Sequence, residues 1–323
     1  MPRVLLVVLM AFLAACGGRA PDPRVVVFYG SEVLGSLDGC GCMGNPRLGG
    51  LPYRIGYTRG FAAEHRDTPT LQIDAGASMK PIVNAEGRTV EDWIVEDDWA
   101  LAALDATGFD ALNLTDVDAP YLARKMASDT YPANVTAQPV LGRYVSANVV
   151  PARADLAAPA RYVVRSAGAV RVAITGVSQP NAGLEQSCGF RVTDAAEALA
   201  SVLPAMRAES DVVIVLAYMQ PGAVDALAAK LPGKADVWIA ANSIGGDVPE
   251  PRLAAPERIT CSWYKTQKLG VLTLQLEGAR VAGATNEYVK LEDPLPRDPD
   301  VEQFVERSKA AVRAVKEKRF AAN

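Results

Sequence analysis

From residue 24 onward, short unbroken apolar runs rich in β-branched residues alternate with longer segments whose apolar positions recur at helical spacing. The runs predict strands over 25–29, 70–74, 110–114, 162–166, 170–177, 212–218, 237–241, 269–276 and 280–291. The periodic segments between them predict helices over 51–64, 91–106, 121–127, 194–208, 223–231 and 298–319. Ala167-Gly168-Ala169 and Glu277-Gly278 have the small residues of tight turns, so each predicts an antiparallel pair. Strands apolar on both sides and separated by helices predict a central sheet covered on both faces. No internal repeat or low-complexity tract interrupts this rhythm.

The first residues follow another pattern. One cation, Arg3, precedes an apolar run from Val4 to Leu13 and the small residues Ala14 and Ala15. A basic start, a short apolar core and a small-residue cleavage site describe a secretory signal. The run is much shorter than the ~20 residues of a spanning helix. Leu13-Ala14-Ala15-Cys16 resembles the bacterial lipobox, which implies acylation of Cys16 once residues 1–15 are removed; an ordinary signal peptide with a chance cysteine is the alternative. Residues 16–23, with Gly17-Gly18 and Pro21-Asp22-Pro23, read as a lipidated tether. The body is then divided as 24–295 and a C-terminal helix within 296–323. The expected location is the cell envelope, lipid-anchored on the periplasmic face and at the outer membrane ahead of the inner.

Composition narrows the chemistry. The chain of 323 residues is half apolar and carries 33 basic against 37 acidic side chains. A slightly acidic chain without a clustered basic surface is not expected to bind nucleic acid. There is one histidine, His65, in the polar segment Glu64-His65-Arg66-Asp67 at a predicted helix end, where exposure to solvent is the expected state. Beyond Cys16 there are Cys40, Cys42, Cys188 and Cys261.

The segment from Cys40 to Arg54, with Gly49-Gly50-Leu51-Pro52-Tyr53-Arg54, is followed by Ile73-Asp74-Ala75-Gly76, Gly108-Phe109-Asp110, Ser146-Ala147-Asn148 and the 170–176 run. In this order they resemble the metallophosphoesterase domain of 5'-nucleotidases and UDP-sugar hydrolases across most of 24–295. The resemblance implies an α/β fold, a four-layer α/β/β/α sandwich of the calcineurin-like metallophosphoesterase type. The site would be formed by loops at the C-terminal strand ends, as in open α/β sheets generally. Active relatives hold two metal ions there and activate water for attack on phosphate.

Carried over residue by residue, the ligand set is degenerate. Ser31-Glu32-Val33 stands where the family has Asp-x-His, and Ala77 where an Asp follows Gly76. Thr115-Asp116-Val117 replaces Gly-Asn-His, Tyr218 lies at the position of a later His, and Asn242-Ser243-Ile244 replaces the closing His pair. Glu32, Asp116 and Asn242 are the only partial stand-ins, with Asp118 nearby. One remote His cannot supply several imidazole ligands, and these acids are a thin set for a Mg or Mn site.

The cysteines are the remaining reactive groups. If the loops of Cys40-Gly41-Cys42, Cys188 and Cys261 converge on one rim, four sulfurs meet there, lined by Tyr218, Trp263 and Tyr264. They could form ordinary disulfides, a redox pair at Cys40 and Cys42, or a thiolate site for a soft metal, Cu or Zn. A Cys-x-Cys bridge closes a small strained ring, and strain makes a disulfide more reducible. The expected role is therefore cysteine-based redox or metal binding with an envelope thiol-redox or protein partner. The alternatives are a ligand-binding or scaffold lipoprotein, and a metal-dependent phosphoesterase with unconventional ligands. Arg54, at a Gly-rich helix start, is a candidate for holding an anion. Trp93 and Trp99 are expected to pack, and the basic terminal helix (Lys309, Arg313, Lys316, Lys318, Arg319) is either an ordinary surface or a contact for anionic lipid.

Overall fold

A computed structural model describes residues 24–39, 48–83, 88–128, 130–131, 135–241, 249–253, 257–263 and 266–321. Cys16, Cys40, Cys42, Asn242 and Tyr264 lie outside the described residues. The first half runs β1 (Arg24–Gly30), α1 (Leu51–Glu64), β2 (Thr70–Asp74), α2 (Glu91–Thr107), β3 (Ala111–Asn113) and α3 (Ala119–Ser128). The short elements β4 (Thr130–Tyr131), β5 (Val135–Thr136), α4 (Gln138–Leu141), β6 (Tyr144–Val145) and β7 (Val149–Pro151) follow. The second half begins with β8 (Val163–Ala167), β9 (Val170–Ser178), α5 (Leu184–Cys188), β10 (Phe190–Val192), α6 (Ala195–Glu209) and β11 (Val212–Tyr218). It ends with α7 (Pro221–Lys230), β12 (Val237–Ala241), β13 (Arg258–Cys261), β14 (Lys268–Glu277), β15 (Arg280–Lys290) and α8 (Pro299–Ala321).

The strands form two main sheets rather than one. The first has the order β15-β14-β1-β2-β3-β6 and the second β13-β12-β11-β9-β8. β1, β2, β3 and β6 are parallel, with the β14–β15 hairpin antiparallel at the edge. In the second sheet β9, β11, β12 and β13 are parallel, and β8 turns back antiparallel onto β9.

Alternation explains why unbroken apolar runs were needed. Val25, Val27 and Tyr29 of β1, and Val212, Ile214, Leu216 and Tyr218 of β11, fill the layer between the sheets. Their neighbours point outward: Val26 and Phe28 toward α1, and Val213, Val215 and Ala217 toward α6 and α7. Successive strand residues face opposite sides, so a strand covered on both has no polar positions to spare. Burying each Val, Leu or Ile stabilises by roughly 1.5–3 kcal/mol, and the central strands β1 and β11 carry eight of them. α2, α3 and the first half of α8 cover the first sheet through Leu101, Leu104, Leu122, Val301 and Val305. No helix among the described residues is long and apolar enough to cross a membrane.

Candidate functional site

The C-terminal ends of the parallel strands of both sheets meet at one rim. The loop after β1 lies alongside the loop after β2, with Glu32 N–H donating to Gly76 O at 2.8 Å, Leu34 N–H to Ala77 O at 3.0 Å and Gly35 N–H to Ser78 O at 2.8 Å. To pair in this way, three residues with side chains adopt left-handed backbone: Glu32 (φ 58°), Leu34 (φ 49°) and Ala77 (φ 56°). Each costs on the order of 1 kcal/mol or more. Buried Asp118, at the start of α3, fixes the second loop by accepting from Ala77 N–H (3.2 Å), Met79 N–H (2.9 Å) and Ser78 Oγ (3.0 Å). Thr115 adds its backbone N–H at 3.1 Å and its hydroxyl at 2.6 Å. Burial nevertheless pushes the Asp118 carboxyl up to about 6, against the opposing effect of those donors.

Tyr218, the last inward residue of β11, sits at the centre. It is 3 % exposed and belongs to the apolar layer between the sheets that also holds Ala75, Ala77 and Ala241, with Leu34 and Val117 partly buried against that layer. Its hydroxyl donates to Glu32 Oε1 at 3.4 Å. Burial raises its pKa, and the Glu32, Asp118 and Asp116 carboxylates around it raise it further. The phenol therefore stays protonated. Glu32 itself is 2 % exposed.

Asp116 bridges the sheets: Ser178 Oγ donates to Oδ1 at 2.9 Å and Asn181 Nδ2 to Oδ2 at 3.0 Å. Ser31 and Ser262 share a hydrogen bond of 2.6 Å, as do Tyr29 and Thr260 at 2.5 Å. Beneath the rim, Asn113 Nδ2 donates to Ala75 O and Val177 O, each at 3.0 Å. The sequence reading named Ser31 only as a replaced ligand position and missed Ser178, Asn181 and Ser262. Their only signal was a polar residue just beyond an apolar strand, which also marks any strand end.

Of the positions that the resemblance singled out, Glu32, Asp116, Ala77, Val117 and Tyr218 lie at this rim; Asn242 is outside the described residues. No three His, Cys, Asp or Glu side chains among the described residues come together in a way that could hold a metal ion. His65 is exposed at the end of α1, with its ring centroid 4.3 Å from that of Phe61.

The expected convergence of sulfurs fails for Cys188 and Cys261. Both are free and buried, in different cores. Cys188 ends α5 within the cluster that covers the first sheet, and its Sγ lies 3.4 Å from Leu184 O. Cys261 packs with Trp238, Ala240 and the α6 and α7 residues on the far face of the second sheet. Strand parity is the reason. Thr260 and Ser262 turn inward to Tyr29 and Ser31, so Cys261 between them must turn outward. Burial pushes the Cys261 thiol up to about 11 and also raises Cys188.

Arg54 does not present a cation to an anion at the rim. It is 1 % exposed, its Nη1 is 2.7 Å from Asp74 Oδ2, its Nη2 donates to Ile73 O at 2.7 Å, and it lies over the Phe109 ring. Gly30 leaves room for it: a Cβ there would be 2.7 Å from Arg54 Nη1. Trp99 packs against Phe304 of α8. Trp263 stacks under Lys268 Nζ at 3.7 Å and beside Tyr288.

No protein-family model matches this sequence, and no curated protein does. Solved structures match at low identity. The sulfate thiohydrolase SoxB of Thermus thermophilus superposes with a TM-score of 0.67 at 16% identity, covering 89% of this chain and 60% of that one. A 5'-nucleotidase precursor, also from Thermus thermophilus, has a TM-score of 0.67 at 16% identity, covering 90% of this chain and 59% of its own. The chain thus spans about three fifths of the length of these two proteins. The calcineurin-like phosphoesterase YfkN of Bacillus subtilis matches over 90% of this chain and 97% of its own, with a TM-score of 0.63 and 16% identity. The fold is that of the calcineurin-like metallophosphoesterases. More narrowly, the architecture is 5'-nucleotidase-like.

Proposed function

We propose that this is an exported lipoprotein with a 5'-nucleotidase-like fold that no longer hydrolyses phosphate esters, and whose remaining chemistry is thiol–disulfide exchange at Cys40 and Cys42. The observation that carries the first half is Tyr218. A protonated phenol, in the same apolar layer as Ala77, Ala241 and Val117, stands at the rim where active relatives are expected to place metal ligands. An aromatic ring and three aliphatic side chains offer no donors for hard cations, which take oxygen ligands. The composition agrees, with one exposed histidine in the whole chain.

The second half rests on elimination among the cysteines. Cys188 and Cys261 each face a separate apolar core as high-pKa thiols, the setting of inert structural cysteines. Cys40 and Cys42 remain, in the stretch of sequence between Asp38 and Gly50, two residues joined by an antiparallel bridge. Two thiolates fall short of the four donors of a structural zinc site, so exchange is favoured over zinc binding.

The test has two arms on the purified full-length protein. Phosphate-ester turnover is measured with Mn, Mg, Zn and Ca, and thiols are counted with and without mild reductant in wild type, Cys40→Ser and Cys42→Ser. The expected result is no turnover, and a bridge that opens with mild reductant and is missing from both variants. Metal-dependent turnover lost on Asp116→Ala would instead establish a phosphoesterase with unconventional ligands, the reading favoured by the carboxylates of Glu32, Asp116 and Asp118 around one phenol. A bridge that resists mild reductant would make Cys40 and Cys42 structural.

A further inference from the structure

The two halves of α8 differ in charge and in what they touch. In the first half Val301 and Val305 are buried in the cluster that covers the first sheet, and Asp300, Glu302 and Glu306 outnumber the one base, Arg307. From Lys309 onward the balance reverses. Lys309, Arg313, Lys316, Lys318 and Arg319 stand against Glu317 alone, in a chain whose formal net charge is −4. All five cations are exposed, and so is Phe320. Lys309, Arg313, Lys316 and Phe320 follow one another at intervals of four, three and four residues. That spacing lines them along one side of the helix.

Three of the cations are partly neutralised. Lys309 is shared between Asp38 at 2.9 Å and Glu306 at 3.3 Å, while Arg319 and Lys316 reach Asp92 at 3.3 and 3.9 Å. Arg313 and Lys318 are in no ion pair among the described residues. Asp92 lies in the first turn of α2, so α8 ends beside the start of that helix. The same corner belongs to the rim side of the molecule, because the loop after β2 reaches α2 there: Lys80 N–H donates to Asp97 Oδ1 at 2.9 Å. Phe320 is 76 % exposed and Val83 44 %, and they are the large hydrophobics so exposed among the described residues. Val83 is bridged to Thr89, just before α2, so both flank one helix start.

We propose that the C-terminal half of α8 is a docking surface for an anionic bilayer, with its cations on the head groups and Phe320 inserted at their boundary with the acyl chains. The proposal is independent of the thiol chemistry above. A cluster of Lys and Arg on a helix attracts anionic lipid, and a neighbouring aromatic side chain adds apolar contact with the interface. Lipid is favoured over an acidic protein by how little apolar surface the corner offers. A stable protein interface buries roughly 800 Å² per partner around a well-packed apolar centre. Here the large exposed apolar side chains are two separate ones, Phe320 and Val83. A bilayer is a deformable plane, so it asks for charge and an inserting side chain rather than for complementary shape. Docked in this way, the corner at the start of α2 lies against the head groups and the rim is held close to the membrane surface.

The complete chain carrying Cys16→Ser, which has no thiol there to acylate, is sedimented with vesicles of phosphatidylcholine alone or with added phosphatidylglycerol. The apolar run of residues 4–13 contributes to both, so the difference between the two vesicles isolates charge. At low ionic strength the parent chain should bind the anionic vesicles about tenfold more tightly or better, and the difference should vanish at 1 M salt, where the Debye length is ~3 Å. Arg313→Gln with Lys318→Gln, both at exposed positions, should weaken anionic binding about tenfold and leave neutral binding unchanged. Phe320→Trp should bind as the parent does, and its added emission should shift to the blue with anionic vesicles only. Equal binding of the parent to the two vesicles would overturn the proposal, as would an anionic preference that survives the double variant, since the surface would then lie elsewhere on the chain. A preference lost in the double variant, with unshifted Phe320→Trp emission and full displacement by soluble polyglutamate, would assign α8 to an acidic protein instead. The thiol reading is untouched by any of these results, because its own test counts thiols.

Discussion

The Tyr218 hydroxyl lies 3.4 Å from Glu32 Oε1, a contact between the ends of two strands 186 residues apart that belong to different sheets. Tyr218→Phe should fold and lose about 1 kcal/mol, the net worth of a typical hydrogen bond. Urea unfolding checks this. A loss of several kcal/mol would mean that the phenol holds more of the rim than this one contact.

Arg54 and Asp74 form an ion pair at 2.7 Å with both side chains 1 % exposed. Removing one partner strands the other as an uncompensated buried charge. Arg54→Met should therefore cost about 3–5 kcal/mol, and adding Asp74→Leu should recover much of it. A double-mutant cycle in denaturant reads both.

Gly176 and Asn113 are packed so closely that a Cβ on Gly176 would come within 1.9 Å of Asn113 Oδ1 and 2.9 Å of Val145 O. Gly176→Ala should destabilise by about 2–4 kcal/mol, because overpacking a core displaces its neighbours. Pairing it with Asn113→Ala should relieve only part of this, since the Val145 carbonyl remains. Thermal unfolding of the three variants gives the comparison.

Asp118 predicts a pH dependence of definite sign. Its folded pKa of about 6 lies above the ordinary value of 3.8, so between these values the folded state binds more protons than the unfolded. Stability from this group is present below about pH 4 and is lost as pH rises through about 6. The difference amounts to about 3 kcal/mol at one pKa unit per 1.36 kcal/mol. The stability of wild type relative to Asp118→Asn should fall over that window and stay level above it. A rise instead would mean that the donors around Asp118 outweigh burial.

Cys188 and Cys261 should be silent thiols. With Cys261 pushed to about 11 and both buried, alkylation at pH 8 should be slow in the native state and rapid after denaturation, with reductant making no difference. Rapid native labelling of either would show that its core opens.

Most elements were legible in the chain. α1 and the strands β2, β11 and β12 have the predicted ends. α5, β10 and β13 were not predicted: three to five residues are too few for either period to register. Missing β13 mattered most. Without its register against β12, Cys261 could be placed at the rim, although pairing with Ala240 turns it to the outer helices. Arg54 shows the same gap. Its position in a glycine-rich helix start suggested an anion, and only the packing of α1 on β2 revealed Asp74 as its partner.

Local pattern by itself determined where the strands and helices lie, and composition determined that one histidine cannot build a multi-imidazole centre. These follow from properties that each residue carries wherever it is placed: side-chain polarity, periodicity and the kinds of donor atom available. Which side chains become neighbours was decided only by the tertiary structure. Strand parity sends Thr260 and Cys261 to opposite faces of one sheet, and the closing of two sheets brings Tyr218 to Glu32. Contacts between residues nearly two hundred positions apart depend on register and layer stacking, which no local stretch of sequence contains.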